Sequence, residues 1–310
     1  MAERFDVVVI GAGPGGARAA RRCAQRGASV ALVEKEFIGG TCLNWGCIPS
    51  KTLLASAHLL MRARSASEMG IDIPSAAPNW PKIQQRRESI IAGLRKGMQS
   101  GMKSGKIAYL AGTAVVHSPT KVTVEANGQK TDLEAGKLIL ATGSDSIQIP
   151  SIPFDGKIVI SSTEALSLPE IPKSMVIVGG GVIGCELGCV YAAMGTKVTI
   201  VEALESLLPM LDSWASRLVE REFKGLGIEA LTGRKVTGVD KGASSAKVNL
   251  DGGQAIEAER VLVAVGRRAA VDKAIVSALG LDMNGPAIKV NKRMETNVPG
   301  VYAVGDAVGT

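Results

Sequence analysis

Apolar positions along the chain fall into short continuous runs that end at glycine, and the two clearest are followed by one shared pattern. Val7–Ile10 (VVVI) runs into GAGPGG, and Met175–Val178 (MVIV) runs into GGGVIG. Runs this short are read as strands buried on both faces rather than as helices. After each glycine cluster, small and apolar residues recur at helical spacing for about four turns. A second β-branched run then ends in Glu34 or Glu202. Aligned at an offset of 168 residues, the two stretches match without a gap: Gly11 falls on Gly179, Gly13 on Gly181, Gly16 on Gly184, Gly27 on Gly195 and Glu34 on Glu202.

Each copy is therefore a strand, helix, strand unit, and its three glycines have separate tasks. The first permits a tight turn, the second lets backbone approach a pyrophosphate, and the third lets the helix pack closely on the strand. The phosphates would rest on a helix N-terminus, where amides and the helix dipole favour negative charge. A GxGxxG alone is weak, because packing alone also produces glycine turns. Here both copies follow a strand, open a helix and carry a glutamate 23 residues after the first glycine, where a carboxylate can accept from ribose hydroxyls. The predicted fold class is α/β, with two Rossmann-like dinucleotide-binding domains built on parallel central sheets.

Weaker echoes complete the outline. KLILATGSD (Lys137–Asp145) and ERVLVAVGRR (Glu259–Arg268) are later strands running into glycine, and GVYAVGDA (Gly300–Ala307) is a third, expected to return to the first domain. The proline-rich stretches Ile149–Gly156 and Leu168–Ser174 mark the crossing between domains. The expected division is 1–150 with 280–310 for the first domain and 151–279 for the second, inserted in it, with the segment 58–106 forming helices of the first. A length of 310 residues with 46% hydrophobic positions is enough for two cores.

Charge changes the picture little. The excess of 36 basic over 29 acidic residues is spread in mixed-sign patches, and only 3% of residues are aromatic, so nucleic acid is not an expected partner. No run approaches a membrane span or a signal-peptide core, and an intracellular, cytoplasmic protein is expected. Five cysteines suit a reducing compartment, where a disulfide is more often catalytic than structural.

The most specific segment is GGTCLNWGCIPSK, Gly39–Lys51, with Cys42 and Cys47 five positions apart directly after the first unit. A continuous helix would hold their Cα atoms about 8.6 Å apart, beyond the roughly 4.4–6.8 Å that a disulfide accepts. The backbone must therefore bend, with Gly46 supplying the freedom and Pro49 suiting the start of a helix. A zinc half-site or two inert thiols are the alternatives, but no second cysteine pair or histidine-rich tract completes a metal site, and none is expected. Cys185 and Cys189 lie on the second unit's helix and are expected to be structural.

These residues resemble the dihydrolipoamide dehydrogenases of the glutathione reductase-like flavoproteins. The resemblance rests on the form of the paired-cysteine segment, with Ser50-Lys51 after the proline, on Ala141-Thr142-Gly143, and on Gly305-Asp306. It implies that Gly11, Gly13, Gly16 and Glu34 hold FAD, that Thr142 and its neighbours Ala141 and Gly143 complete that site, and that Asp306 holds the ribityl chain. Gly179, Gly181, Gly184 and Glu202 would take NAD, and the cofactor-contacting set also includes Lys35, Gly40, Thr41, Lys51 and Gly266.

By the same resemblance, Cys47 lies against the flavin and Cys42 exchanges with the dithiol, while Lys51 and Glu186 meet near the flavin and nicotinamide. The implied activity is oxidation of dihydrolipoamide, free or on a lipoyl domain, as the E3 component of 2-oxoacid dehydrogenase or glycine-cleavage systems. NAD rather than NADP is expected, since Glu202 would repel a 2′-phosphate. Family members run about half as long again, with a C-terminal interface domain that carries a His-Glu pair. The chain is thus expected to be a fragment with little lipoyl turnover, a homodimer only in full-length form, and His58 and His117 are expected to be ordinary surface or structural residues. A mercuric reductase-like or other disulfide reductase, and a nucleotide-binding redox module without turnover, are the rival readings.

Overall fold

The computed structural model describes residues 2–309; Met1 and Thr310 lie outside the described residues. Its contacts divide the chain into two units, one of Met1–Asn44, Ile90–Asp145 and Arg267–Thr310, the other of Trp45–Ser89 and Ser146–Gly266.

The first unit is built on a seven-stranded sheet. Strands Ala108–Ala111, Val30–Glu34, Glu3–Ile10 and Gln129–Leu140 run parallel, and Lys121–Ala126 and Thr113–Ser118 continue the sheet antiparallel. The short strand Val301–Ala303 pairs in parallel with Leu138–Leu140, so the GVYAVGDA segment does return to this sheet. Alternation along the strands sorts the core. Val8, Ile10, Ala31 and Val33 join one cluster, while Val7, Val9, Val30 and Leu32 join another with the helix residues Ala17, Ala20 and Met102. A sheet buried on both faces explains why these strands read as unbroken apolar runs.

The second unit repeats the plan. Its parallel sheet has the order Glu229–Leu231, Lys197–Val201, Ser174–Val178, Arg260–Val263, Val159–Ile160. A three-stranded antiparallel sheet, Val236–Lys241, Ala246–Leu250 and Ala255–Ala258, shares a core with Val176, Val178, Val261 and Val263. The opposite face, with Met175, Ile177, Ile200 and Leu262, packs under helix Val182–Met194.

The contact pattern departs from the expected division at two places. Helix Cys47–Arg64 buries Leu53, Ala57 and Leu60 in the same core as Val190, Ala193 and Met194 of the second unit. Trp80, at the start of helix Trp80–Ser104, donates its indole N–H to Leu168 O at 2.8 Å and packs against Tyr191 with ring centroids 5.9 Å apart and planes tilted by 46°. Residues 45–89 therefore belong by packing to the second unit and not the first. Helix Lys273–Leu279 goes the other way, since Ile275 and Leu279 enter the core of Val116 and Val122. The cause in both cases is an amphipathic helix whose apolar stripe says that it is buried, but not by which sheet.

Candidate active site

Steric geometry separates the glycines of each copy as the repeat predicts. Gly11 and Gly179 have φ of +101° and +109°, a region costly for other residues. A Cβ on Gly16 would come to 1.9 Å from Gly11 O, and one on Gly184 to 2.1 Å from Gly179 O, so the third glycine is demanded by helix-on-strand packing. The middle glycines differ. A Cβ on Gly181 would meet nothing within 4 Å, and one on Gly13 only Gly40 Cα at 4.0 Å. That room lies at the N-caps of helices Pro14–Gln25 and Val182–Met194, neither of which has a side-chain cap. Uncapped first-turn amides beside open space suit an anion.

The acidic residues repeat to the level of single hydrogen bonds. Glu34 Oε2 accepts from Ala12 N at 2.7 Å and its Oε1 from Glu36 N at 3.0 Å. Glu202 Oε2 accepts from Gly180 N at 2.6 Å and its Oε1 from Leu204 N at 2.8 Å. Each carboxylate is held by backbone at the edge of its glycine turn with lone pairs left to accept from a ribose. Lys35 is exposed and Thr41 half-buried. Gly266, exposed with φ +126°, accepts from Ile147 N at 3.0 Å.

In the first unit, Ala141 is buried against the glycine turn, and Gly143, with φ +77°, accepts from Ala270 N at 2.9 Å. Thr142 Oγ1 is buried with no hydrogen-bond partner, the kind of orphaned group that a ligand satisfies. Gly305, with φ +71°, precedes Asp306, whose Oδ2 accepts from Ser144 Oγ at 2.6 Å; Ser144 Oγ in turn accepts from Arg267 Nε at 2.8 Å. Sequence reasoning missed Ser144 and Arg267, because 162 and 123 positions separate them from Asp306 and Ser144 respectively. The residues of both turns thus fit a dinucleotide.

The paired-cysteine segment bends where the disulfide argument requires. One helix, Gly40–Trp45, carries Cys42 and ends before Gly46, whose φ of −143° and ψ of −116° are not helical; the next, Cys47–Arg64, begins at Cys47 with Pro49 in its first turn. Cys42 is half-buried and Cys47 exposed. Four residues along, Lys51 Nζ donates to both oxygens of Glu186, at 2.7 Å and 2.8 Å, within the second unit.

The remaining candidates behave as structural groups. Burial pushes the Cys185 thiol up to about 12, with Cys189, Glu202 and Glu186 adding to it, and pushes Cys189 up to about 11. Cys185 donates to Gly180 O at 3.3 Å. His58 is exposed, and His117, also exposed, lies 2.9 Å from Thr123 Oγ1 on the adjacent strand. Among the described residues, no cluster of metal-ligating side chains is present and no helix is long and apolar enough to cross a membrane.

Two Rossmann-type dinucleotide folds with a paired-cysteine helix define a class of redox flavoprotein. Comparison with known proteins gives the family: residues 5–310 match the profile of the pyridine nucleotide-disulphide oxidoreductases, and the chain belongs to that family. It is 41% identical to a dihydrolipoyl dehydrogenase of Bacillus subtilis over 309 residues, 98% of this chain and 67% of that protein. A dihydrolipoyl dehydrogenase of Acholeplasma laidlawii is 38% identical over all of this chain and 91% of its own length. Among solved structures, LpdA from Mycobacterium tuberculosis superposes with a TM-score of 0.89 at 25% identity, covering 99% of this chain and 68% of that one. The HOCl-induced flavoprotein disulfide reductase RclA of Escherichia coli, as its Cu(II) complex, superposes at 0.87 with 26% identity, covering 99% and 67%.

Proposed function

We propose that the chain is the nucleotide- and disulfide-bearing part of an FAD-dependent dihydrolipoyl dehydrogenase that passes electrons from dihydrolipoamide to NAD. The observation that carries this reading is the Lys51–Glu186 ion pair, because it ties the helix starting at Cys47 to the helix of the second glycine turn. The relatives' names supply the substrate class, a dihydrolipoyl group.

The first turn, with Glu34, Thr142 and Asp306, holds FAD; the second, with Glu202, holds NAD. Bound FAD supplies a two-electron relay between the thiols and the nicotinamide. A substrate thiolate attacks Cys42 Sγ and the Cys47 thiolate leaves; the second substrate thiol then displaces Cys42, closing the lipoamide disulfide and leaving two reduced cysteines. Two electrons and two protons enter the protein in that exchange. Lys51, fixed by Glu186, keeps a cation one turn along the helix that begins at Cys47. Glu202 accepts from the ribose hydroxyls and repels a 2′-phosphate, selecting NAD.

Anaerobic NAD reduction by dihydrolipoamide, followed at 340 nm with the FAD-loaded protein, tests the reading. Slow dihydrolipoamide-dependent NADH formation that vanishes in Cys42→Ser and Cys47→Ser supports it. NADH formation undiminished in both variants would overturn it.

A further inference from the structure

In the first unit, a buried amide helps to hold the turn that leads to Cys42. Asn44, 7% exposed, stands between the two cysteines in sequence, and its Nδ2 donates to Gly40 O at 2.8 Å, Ile38 O at 3.2 Å and Phe37 O at 3.5 Å. Those carbonyls belong to the turn that delivers Cys42. The same turn rests on the first glycine loop, where a Cβ on Gly40 would come to 2.7 Å from Gly13 Cα.

The other end of the Asn44 amide is occupied by Arg95. Its Nε donates to Asn44 Oδ1, and its guanidinium carbon sits 4.1 Å from the centroid of the Phe37 ring. An asparagine amide can flip, and either orientation fills the same volume. A guanidinium has donors only, so it accepts no contact from an Nδ2 turned toward it. Arg95 therefore admits one orientation, with the oxygen toward itself and both amide hydrogens toward the Cys42 turn. Stacking on Phe37 holds the arginine in place from the turn side. Removing the arginine would leave Asn44 Oδ1 buried without a partner, which favours rotation of the amide and release of the turn.

We propose that Arg95 is a positioning residue for the thiol–disulfide couple, acting through Asn44 to hold the Cys42 turn and so to set how readily the Cys42–Cys47 disulfide closes. The proposal rests on reading these cysteines as a redox pair. A looser turn lowers the effective concentration of one sulfur at the other, disfavours the disulfide and raises the reduction potential of the pair.

The test is equilibration of the FAD-loaded protein in mixtures of reduced and oxidised dithiothreitol, with the Cys42–Cys47 pair scored by mass after trapping. Closing the disulfide moves two electrons and two protons from the cysteines to oxidised dithiothreitol. Arg95→Ala should shift the equilibrium roughly tenfold toward the dithiol, about 30 mV. Arg95→Lys, which keeps a donor and a cation, should restore most of it. Asn44→Ala should shift it in the same direction, and the double variant should add nothing to Asn44→Ala. Should Arg95→Ala not fold, Phe37→Leu, which removes only the stacking platform, should show a smaller shift of the same sign.

A wild-type equilibrium in folded Arg95→Ala, no shift in Phe37→Leu where that variant has to stand in, or full additivity in the double variant would overturn the positioning role. Failure of the wild-type pair to form any disulfide would instead overturn the redox reading on which it stands.

Discussion

Lys51 and Glu186 are 135 positions apart in sequence, yet the lysine Nζ donates to both carboxylate oxygens, at 2.7 Å and 2.8 Å. The lysine side chain is 58% exposed and the glutamate 26%, so water screens the pair. Exposed pairs contribute about 0.2–1 kcal/mol to stability. Lys51→Ala and Glu186→Gln should therefore leave the melting temperature of the chain nearly unchanged. Cofactor reduction by dihydrolipoamide should slow by about tenfold or more, corresponding to about 1.4 kcal/mol of barrier. Stopped-flow reduction traces beside a thermal melt separate the two effects.

The middle and third glycines should respond oppositely to an added methyl group. Gly184→Ala forces a Cβ to 2.1 Å from Gly179 O and should destabilise the fold by about 1–3 kcal/mol or more. Gly181→Ala meets nothing within 4 Å and should leave the ligand-free melt unchanged while weakening NADH binding. Calorimetry for stability and NADH fluorescence titration for affinity read the two quantities independently.

Thr142→Val should be neutral or slightly stabilising without cofactor, because the hydroxyl it removes is buried and unpaired. The same change should speed loss of FAD on dilution. Slower or unaltered FAD release in this variant would mean that the orphaned hydroxyl does not serve the cofactor.

Thiol reactivity should divide the cysteines. Cys185 and Cys189, pushed up to about 12 and about 11, carry thiolate fractions of only about 10⁻⁴ and 10⁻³ at pH 8, so iodoacetamide should modify exposed Cys47 first. Both folded values lie above the ordinary thiol value of 9.0. Folding thus favours the protonated thiols, and that contribution is full below about pH 9 and falls as pH rises toward 11–12. Chemical denaturation at pH 8 and pH 10.5 should show lower stability at the higher pH, by a smaller margin in Cys185→Ala.

Glu202 should set nucleotide choice. Its carboxylate is fixed by Gly180 N and Leu204 N, so it cannot swing aside for a 2′-phosphate. NADH should exceed NADPH in kcat/KM by at least about 100-fold, the size of a like-charge juxtaposition of a few kcal/mol. Glu202→Ser should narrow that ratio. Equal use of both nucleotides by the unaltered chain would remove Glu202 from this role.

The repeat made much of this legible in sequence. Apolar runs, glycine spacing and the glutamates at Glu34 and Glu202 all follow from local backbone demands, and the hydrogen bonds to Ala12 and Gly180 keep the same offset of 168. The Lys51–Glu186 contact came from the resemblance, since no local rule joins residues so far apart. What stayed illegible is tertiary choice. Leu53, Ala57 and Leu60 announce a buried face, but only the fold shows that Val190 and Met194 share its core. The Ser144–Asp306 bond, between segments that follow two strands, and the Arg95–Asn44 contact, between two helices, leave no periodic trace either.

A Cys42–Cys47 disulfide coupled to bound FAD takes up two electrons beyond those that the flavin holds. Anaerobic dithionite titration of the FAD-loaded protein, followed by its visible spectrum, counts those electrons. The unaltered protein should consume one two-electron equivalent more per flavin than Cys42→Ser before the flavin is fully bleached. Equal consumption by the two proteins would contradict it.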